Sequence, residues 1–163
     1  MARPMPRNIV ITGTSTGIGR TTALRLAAAG SHVFAGIRRE EDGRSLQLDA
    51  GEGLTPVLLD ITDDAAIESA AMLIAAQTGD QGVQGLINNA GITVGGPLEF
   101  MTREKMRQQF EVNVFGPVAV TKAFLPLLRR GNGRVINVSS GSGQVSSPLW
   151  GAYTSSKSAL EAL

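Results

Sequence analysis

The stretch "TGTSTGIG", residues 12–19, does most to limit what this chain can fold into. It follows "NIVITG" (8–13), a continuous apolar run of strand length, and opens "GIGRTTALRLAAAG" (17–30), which has helical periodicity and Gly30 just past its last turn. Gly13, Gly17 and Gly19 therefore lie in a strand-to-helix turn. Glycine there permits a tight reversal and lets a bound group approach the backbone closely. The helix start then presents unpaired N–H groups and a positive dipole end, which suit a pyrophosphate. A bare structural turn is the alternative, but its place after the first strand favours a dinucleotide. With Ser15, Thr16 and Ile18, these glycines form the candidate diphosphate cradle, and Thr12 is expected to fix the turn. The three-residue gap between the first two glycines departs from G-x-G-x-x-G, and the absence of a following Gly-Lys-Ser/Thr argues against a triphosphate P-loop.

The remaining chain repeats the alternation. Strands are expected at 32–37, 55–60, 85–91 and 133–140, with helices at 63–79 and 102–130 and another beginning near Tyr153. The long helix should bend near Asn113 to Pro117, since proline removes a backbone donor. Strands separated by helices imply right-handed βαβ units and a parallel sheet, and uninterrupted Val/Ile/Leu runs suit strands covered on both faces. The expected fold is a single α/β domain over residues 1–163, a Rossmann-like, doubly wound parallel sheet with five strands present.

Composition removes rival chemistries. With no cysteine, disulfides, thiol nucleophiles and Cys-bound metals are excluded, and one histidine, His32, precludes a multi-His metal site. A net charge of +1 from 15 basic and 14 acidic residues gives no broad footprint for nucleic acid or a membrane. The apolar runs fall short of the ~20 residues of a spanning helix, and "MARPMPRNIVITG" has no export-type apolar segment, so a cytoplasmic location is expected.

Two further positions bear on the nucleotide. A NAD-selecting acid is expected ~20 residues beyond the glycines, but the second strand ends "AGIRRE", with no acid before Glu40. Arg38 instead suits a ribose 2′-phosphate, so NADP(H) is preferred and NAD(H) is the alternative. Asp60, ending the third strand in "LLDITD", can accept from an adenine amino group while Ile61 packs on the ring; its other reading is a helix N-cap.

"YTSSK" puts the only tyrosine, Tyr153, four residues before Lys157, on one helix face. A free phenol titrates near ~10, and an ammonium within a few ångströms favours the phenolate. Such a pair can pass a proton to or from a carbinol oxygen. In order along the chain stand "TGTSTGIG", "LLDITD", "NNAG" (88–91), "NVFG" (113–116), "INVSSGSG" (136–143) and "YTSSK". Over essentially its whole length the sequence resembles the short-chain dehydrogenase/reductase family. The resemblance implies a catalytic tetrad of Asn113, Ser140, Tyr153 and Lys157. Tyr153 would be the acid/base and Ser140, thirteen residues before it, would bond the substrate oxygen. Lys157 would assist the phenol and hold the nicotinamide ribose, with Asn113 holding a relay water. Asn89, Ala90 and Gly91 would line the cofactor cleft, whereas Asn88 reads as structural. Trp150 either covers the substrate mouth or packs. The likeness further implies interconversion of a small alcohol and a ketone or aldehyde, an apolar substrate and a homo-oligomer.

Family members continue past this length with a sixth and a seventh strand. The fifth strand is therefore expected as an exposed edge, the domain as incomplete at its C-terminus, and subunit pairing as weakened. A non-catalytic dinucleotide-binding module or an inactive fragment is the rival reading. A serine hydrolase is disfavoured by the distance of His32 from Ser140 in sequence and by the absence of a Gly-x-Ser-x-Gly elbow.

Overall fold

The computed structural model describes residues 7–163; the reading of the first six as part of a leader-free N-terminus lies outside the described residues. Five parallel strands form one sheet in the order β3-β2-β1-β4-β5. They are β1 (Asn8–Ile11), β2 (His32–Ile37), β3 (Leu54–Leu58), β4 (Gly85–Asn88) and β5 (Arg134–Asn137). The helices are α1 (Gly17–Ala28), α2 (Glu40–Ala50), α3 (Asp64–Thr78), α4 (Arg103–Phe110), α5 (Gly116–Arg130) and α6 (Gly151–Glu161). The expected Rossmann-like α/β fold is what forms, with strands ending up to three residues sooner than the apolar runs suggest.

Strand side chains alternate between faces, and each face has its own core. Val10, Phe34 and Leu86 join Ile67 and Ile74 of α3 with Val120, Phe124 and Leu127 of α5. Ile9, Ile11, Val33 and Ala35 meet Ala23 of α1 and Leu46 of α2 on the other side. Both faces are covered, which is why the strand sequences do not alternate. β5 is an edge strand, with Val135 39% and Ile136 54% exposed.

Two expectations need correction. Helix α2 was not foreseen, because "EEDGRSLQLDA" is polar and carries an internal glycine. Gly43 is there for space: a Cβ would come within 2.7 Å of Ile37 Cδ1 and 2.8 Å of Pro56 Cβ, so glycine lets α2 lie directly on the sheet. The interruption of the long helix is also not caused by proline. Glu111–Phe115 forms a π turn, with the Gly116 amide bonded to the Glu111 carbonyl, and Pro117 sits in the first turn of α5, where its missing donor costs little. The combined helix Arg103–Arg130 is long and apolar enough to cross a membrane by length and composition, but Val120, Phe124, Leu127 and Leu128 bury its apolar face in the core.

Candidate active site

The C-terminal ends of the parallel strands carry the site, as open α/β sheets dictate. Thr12, at the end of β1, is the junction. Its hydroxyl accepts from the Asn89 and Ala90 amides at 3.1 and 3.0 Å, and its carbonyl accepts from Asn89 Nδ2 at 2.9 Å. Asn89 Nδ2 also donates to the Gly13 carbonyl at 3.0 Å. The glycine turn is thereby fixed to the "NNAG" strand end. Thr14, which the sequence reading missed, is fully buried and donates to the Gly36 carbonyl at 2.9 Å, tying the turn to β2.

These contacts shape a cleft of about 580 Å³, within the ~300–1,000 Å³ usual for small-ligand sites. Gly13, Ser15, Thr16, Ile18 and Gly19 form one wall. Arg38, Asp60 and Ile61 lie at the ends of β2 and β3, and Asn89, Ala90 and Gly91 at the end of β4. Gln108, Glu111 and Val112 complete it from the long helix, an unanticipated contribution. Gly17 does not line the cleft; it has φ +60° and open space where a Cβ would stand. A Cβ on Gly13 would come within 2.7 Å of Ala90 Cα. Glycine at position 13 thus lets the turn close onto the end of β4, and the open cleft beside the start of α1 fits a dinucleotide diphosphate.

Arg38 and Arg39 differ in their commitments. Arg39 pairs with Glu41 at 3.0 Å and Asp42 at 3.2 Å, and its hydrogen bond holds the Asp42 carboxyl below the usual carboxylate range. Arg38 faces the cleft and makes no ion pair among the described residues. Asp60 accepts from the Thr62 amide at 3.0 Å and hydroxyl at 2.7 Å, and the amide bond in particular lowers its pKa. The N-cap of α3 is Asp63, so Asp60 is spared that role.

The tetrad positions gather on α6, the π turn and the segment after β5. Lys157 is only 5% exposed; its Nζ donates to the Val138 carbonyl at 2.7 Å and lies 5.9 Å from the centre of the Tyr153 ring. A Cβ on Gly91 would sit 3.4 Å from Asn113 Oδ1 and 3.7 Å from Lys157 Nζ, so the cleft end, the π turn and the lysine meet there. Asn113 is fully buried: its Oδ1 accepts from the Ile92 amide at 2.9 Å, and its Nδ2 donates to the Ile92 carbonyl and Ser156 Oγ at 3.0 and 3.1 Å. Gln109 repeats this one helical turn earlier, bonding Val94 N and Ile92 O at 2.6 and 2.8 Å, and was missed because "REKMRQQF" reads as a solvated face. Ser140 and Ser139 have separate tasks. Ser139 Oγ donates to Glu161, whereas Ser140 Oγ accepts from Ser142 N at 3.1 Å and keeps its proton for another acceptor. No hydrogen bond joins Ser140 to Tyr153 among the described residues. Trp150 packs edge-to-face on Tyr153 at 5.8 Å and stays 42% exposed. Asn88 bonds Thr121 and Asn137 at 3.0 and 2.9 Å, a structural tie. His32 begins β2 at the opposite end of the sheet from Ser140, bonded to Thr55, which removes the hydrolase reading.

Burial pushes the Lys157 ammonium below its ordinary 10.5. Folding therefore strains the charged form, and the native chain releases this proton before the unfolded one does. Stability from this group rises with pH in the window just below 10.5. Comparing wild type with Lys157→Met across that window, the melting-temperature difference should shift in favour of wild type as pH rises. A pH-independent difference would show that the ammonium is not strained by burial.

A glycine-walled crevice at the carboxyl ends of a doubly wound sheet, with a Tyr-x-x-x-Lys helix at its end, defines a dinucleotide-type α/β protein. The short-chain dehydrogenase family profile matches residues 7–163, and the chain belongs to that family. It is 41% identical over 159 residues to the uncharacterized oxidoreductase YbbO of Escherichia coli (strain K12), covering 97% of this chain and 58% of that protein. A short-chain dehydrogenase from Streptomyces avermitilis superposes with TM-score 0.92 at 37% identity, over 98% of this chain and 58% of that one. A gluconate 5-dehydrogenase from Burkholderia cenocepacia, solved with NADP and tartrate, superposes with TM-score 0.87 at 29% identity, over 98% and 64%. The chain thus spans a little under three-fifths of the YbbO relative.

Proposed function

We propose that this chain carries the catalytic site of an NAD(P)-dependent oxidoreductase that interconverts an alcohol and a ketone or aldehyde, with NADP(H) favoured. The observation that carries the reading is the buried Lys157 ammonium, 5.9 Å from the Tyr153 ring and beside Gly91 at the end of the glycine-lined cleft.

Gly13, Ser15, Thr16 and Gly19 would hold the diphosphate, Asp60 and Ile61 the adenine, and Asn89 to Gly91 the nicotinamide half. A nicotinamide held there would supply or accept the hydride at the carbinol carbon. Tyr153 gives its hydroxyl proton to the substrate oxygen during reduction and recovers it during oxidation. Ser140, with its hydroxyl proton uncommitted, donates to the same oxygen. Lys157 stabilises the phenolate left behind. Asn113, in the π turn, would hold a relay water next to this pair. Trp150, 42% exposed and packed against Tyr153, favours an apolar substrate. We extend the reading to a cytoplasmic setting and a family-type homo-oligomer, with neither nucleic acid nor membrane as partner.

The coenzyme preference rests on Arg38, the cleft arginine without an ion-pair partner among the described residues. Arg38→Ala should weaken NADPH binding by about tenfold, the worth of a charge-assisted bidentate contact, and leave NADH within about twofold. Equal losses for both coenzymes would remove the 2′-phosphate role. The activity itself is tested by titrating NADPH against the emission of Trp150, the only tryptophan, and then following consumption of reduced coenzyme with apolar ketones and aldehydes. Saturable binding followed by turnover is expected. Saturable binding without turnover across the panel would favour the non-catalytic module.

A further inference from the structure

The segment carrying Ser140 leaves the sheet at the end of β5. β5 ends at Asn137, and its last backbone bond to β4 is the Val138 amide on the Asn88 carbonyl at 2.9 Å. Beyond it, Ser139 to Gln144 hold one another through short local bonds: Ser142 N to Ser140 Oγ at 3.1 Å and Gly143 N to the Ser140 carbonyl at 2.8 Å. Neither bond fixes Ser140 relative to the helix that bears Tyr153.

Three side chains of α6 do. Lys157 Nζ donates to the Val138 carbonyl, two residues before Ser140, at 2.7 Å. Ser158 Oγ donates to the Gly143 carbonyl, three residues after it, at 2.7 Å. Glu161 takes both flanks, since Oε1 accepts from Ser139 Oγ at 2.8 Å and Oε2 from Gln144 Nε2 at 3.5 Å. Gly143 makes room for this, because a Cβ there would lie 2.8 Å from Glu161 Oε1 and 3.0 Å from Ser139 Oγ.

We propose that Glu161 is a positioning residue whose carboxylate straps residues 139–144 to α6, so that the Ser140 hydroxyl and the Tyr153 hydroxyl converge on one substrate oxygen. The inference rests on the oxidoreductase reading for its catalytic consequence, but the strap itself does not. A charged acceptor holds two neutral donors more firmly than a neutral one would. Its work is geometric, and a misplacement of about 1 Å at a reacting centre costs up to about a hundredfold in rate. Because these bonds lie at the surface and water can replace them, about tenfold is the expected effect on kcat.

The test is a double-mutant cycle in the full-length protein. Glu161→Ala should lower kcat for carbonyl reduction about tenfold while NADPH affinity stays within about twofold. Glu161→Gln, which retains an acceptor for Ser139, should fall between. Gly143→Ala, which displaces the carboxylate without removing its charge, should resemble Glu161→Ala. On a Ser140→Ala background the Glu161→Ala loss should vanish, because the group being positioned is gone. An undiminished loss on that background would overturn the proposal. A second measurement needs no turnover: hydrogen exchange over residues 139–145 should quicken at least about tenfold in Glu161→Ala, while amides of 154–158 keep their protection. Unchanged exchange in 139–145 would overturn the strap even in an active enzyme. Quickened exchange in a protein without turnover would support the strap and remove the oxidoreductase reading instead.

Discussion

Tyr153→Phe is expected to abolish nearly all turnover, by about a thousandfold, with NADPH affinity changed by no more than about threefold. The substitution removes one oxygen and keeps the ring. Packing against Trp150 at 5.8 Å and the neighbouring Lys157 ammonium therefore stay in place. No described hydrogen bond uses the Tyr153 hydroxyl, so the fold has nothing to lose with it. Steady-state kinetics paired with a coenzyme titration reads both quantities. Retention of a tenth or more of wild-type kcat would mean that some other group moves the proton.

The largest structural effect should come from Gly19→Ala. A Cβ at Gly19 would run into the Gly13 carbonyl oxygen and the Asn89 side-chain amide. Both belong to the network that fixes the glycine turn to β4 through Thr12 and Asn89. Neither can yield alone, since the Gly13 oxygen is backbone and the Asn89 amide has two acceptors to keep. A loss of about 3 kcal/mol is expected, the upper range for overpacking a rigid site, together with loss of NADPH binding. Gly17→Ala is the control. Gly17 also bears no side chain, but its Cβ position is open, so only the cost of φ +60° applies, about 1 kcal/mol. Denaturant midpoints of the two variants separate steric closure from backbone strain. Equal losses would mean that the contact at Gly19 is easily relieved.

These outcomes bear on what the amino-acid sequence discloses. The unit β1–turn–α1 was legible because apolar run, glycines and helical period fall in succession, each demanding the next. A parallel sheet covered on both faces followed from the alternation of apolar runs with helical periods. Helix α2 escaped because its signal is inverted: Gly43, which reads as a breaker, is a packing residue pressed on Ile37 and Pro56, and only Leu46 beside it is a buried large side chain. The π turn escaped because a single inserted residue leaves the apolar period intact on either side. At the site, the residues proposed to supply chemistry were readable from motifs, but those that hold them in place were not. Gln109 and Glu161 act through contacts 15 to 22 residues away in sequence, and nothing in their local patterns distinguishes them from solvated polar side chains. Thr14 looked like one more turn residue, yet it is completely buried.

The central claim is that the Tyr153–Lys157 pair serves a dinucleotide lying along the glycine turn, and a crystal structure with NADPH bound tests it most directly. The expected result has the diphosphate over residues 13–19, the nicotinamide ribose within hydrogen-bonding reach of Lys157 Nζ, and the Tyr153 hydroxyl facing the nicotinamide. A coenzyme bound elsewhere would contradict the claim, as would one bound in the cleft with Lys157 still committed only to the Val138 carbonyl and the phenol turned away.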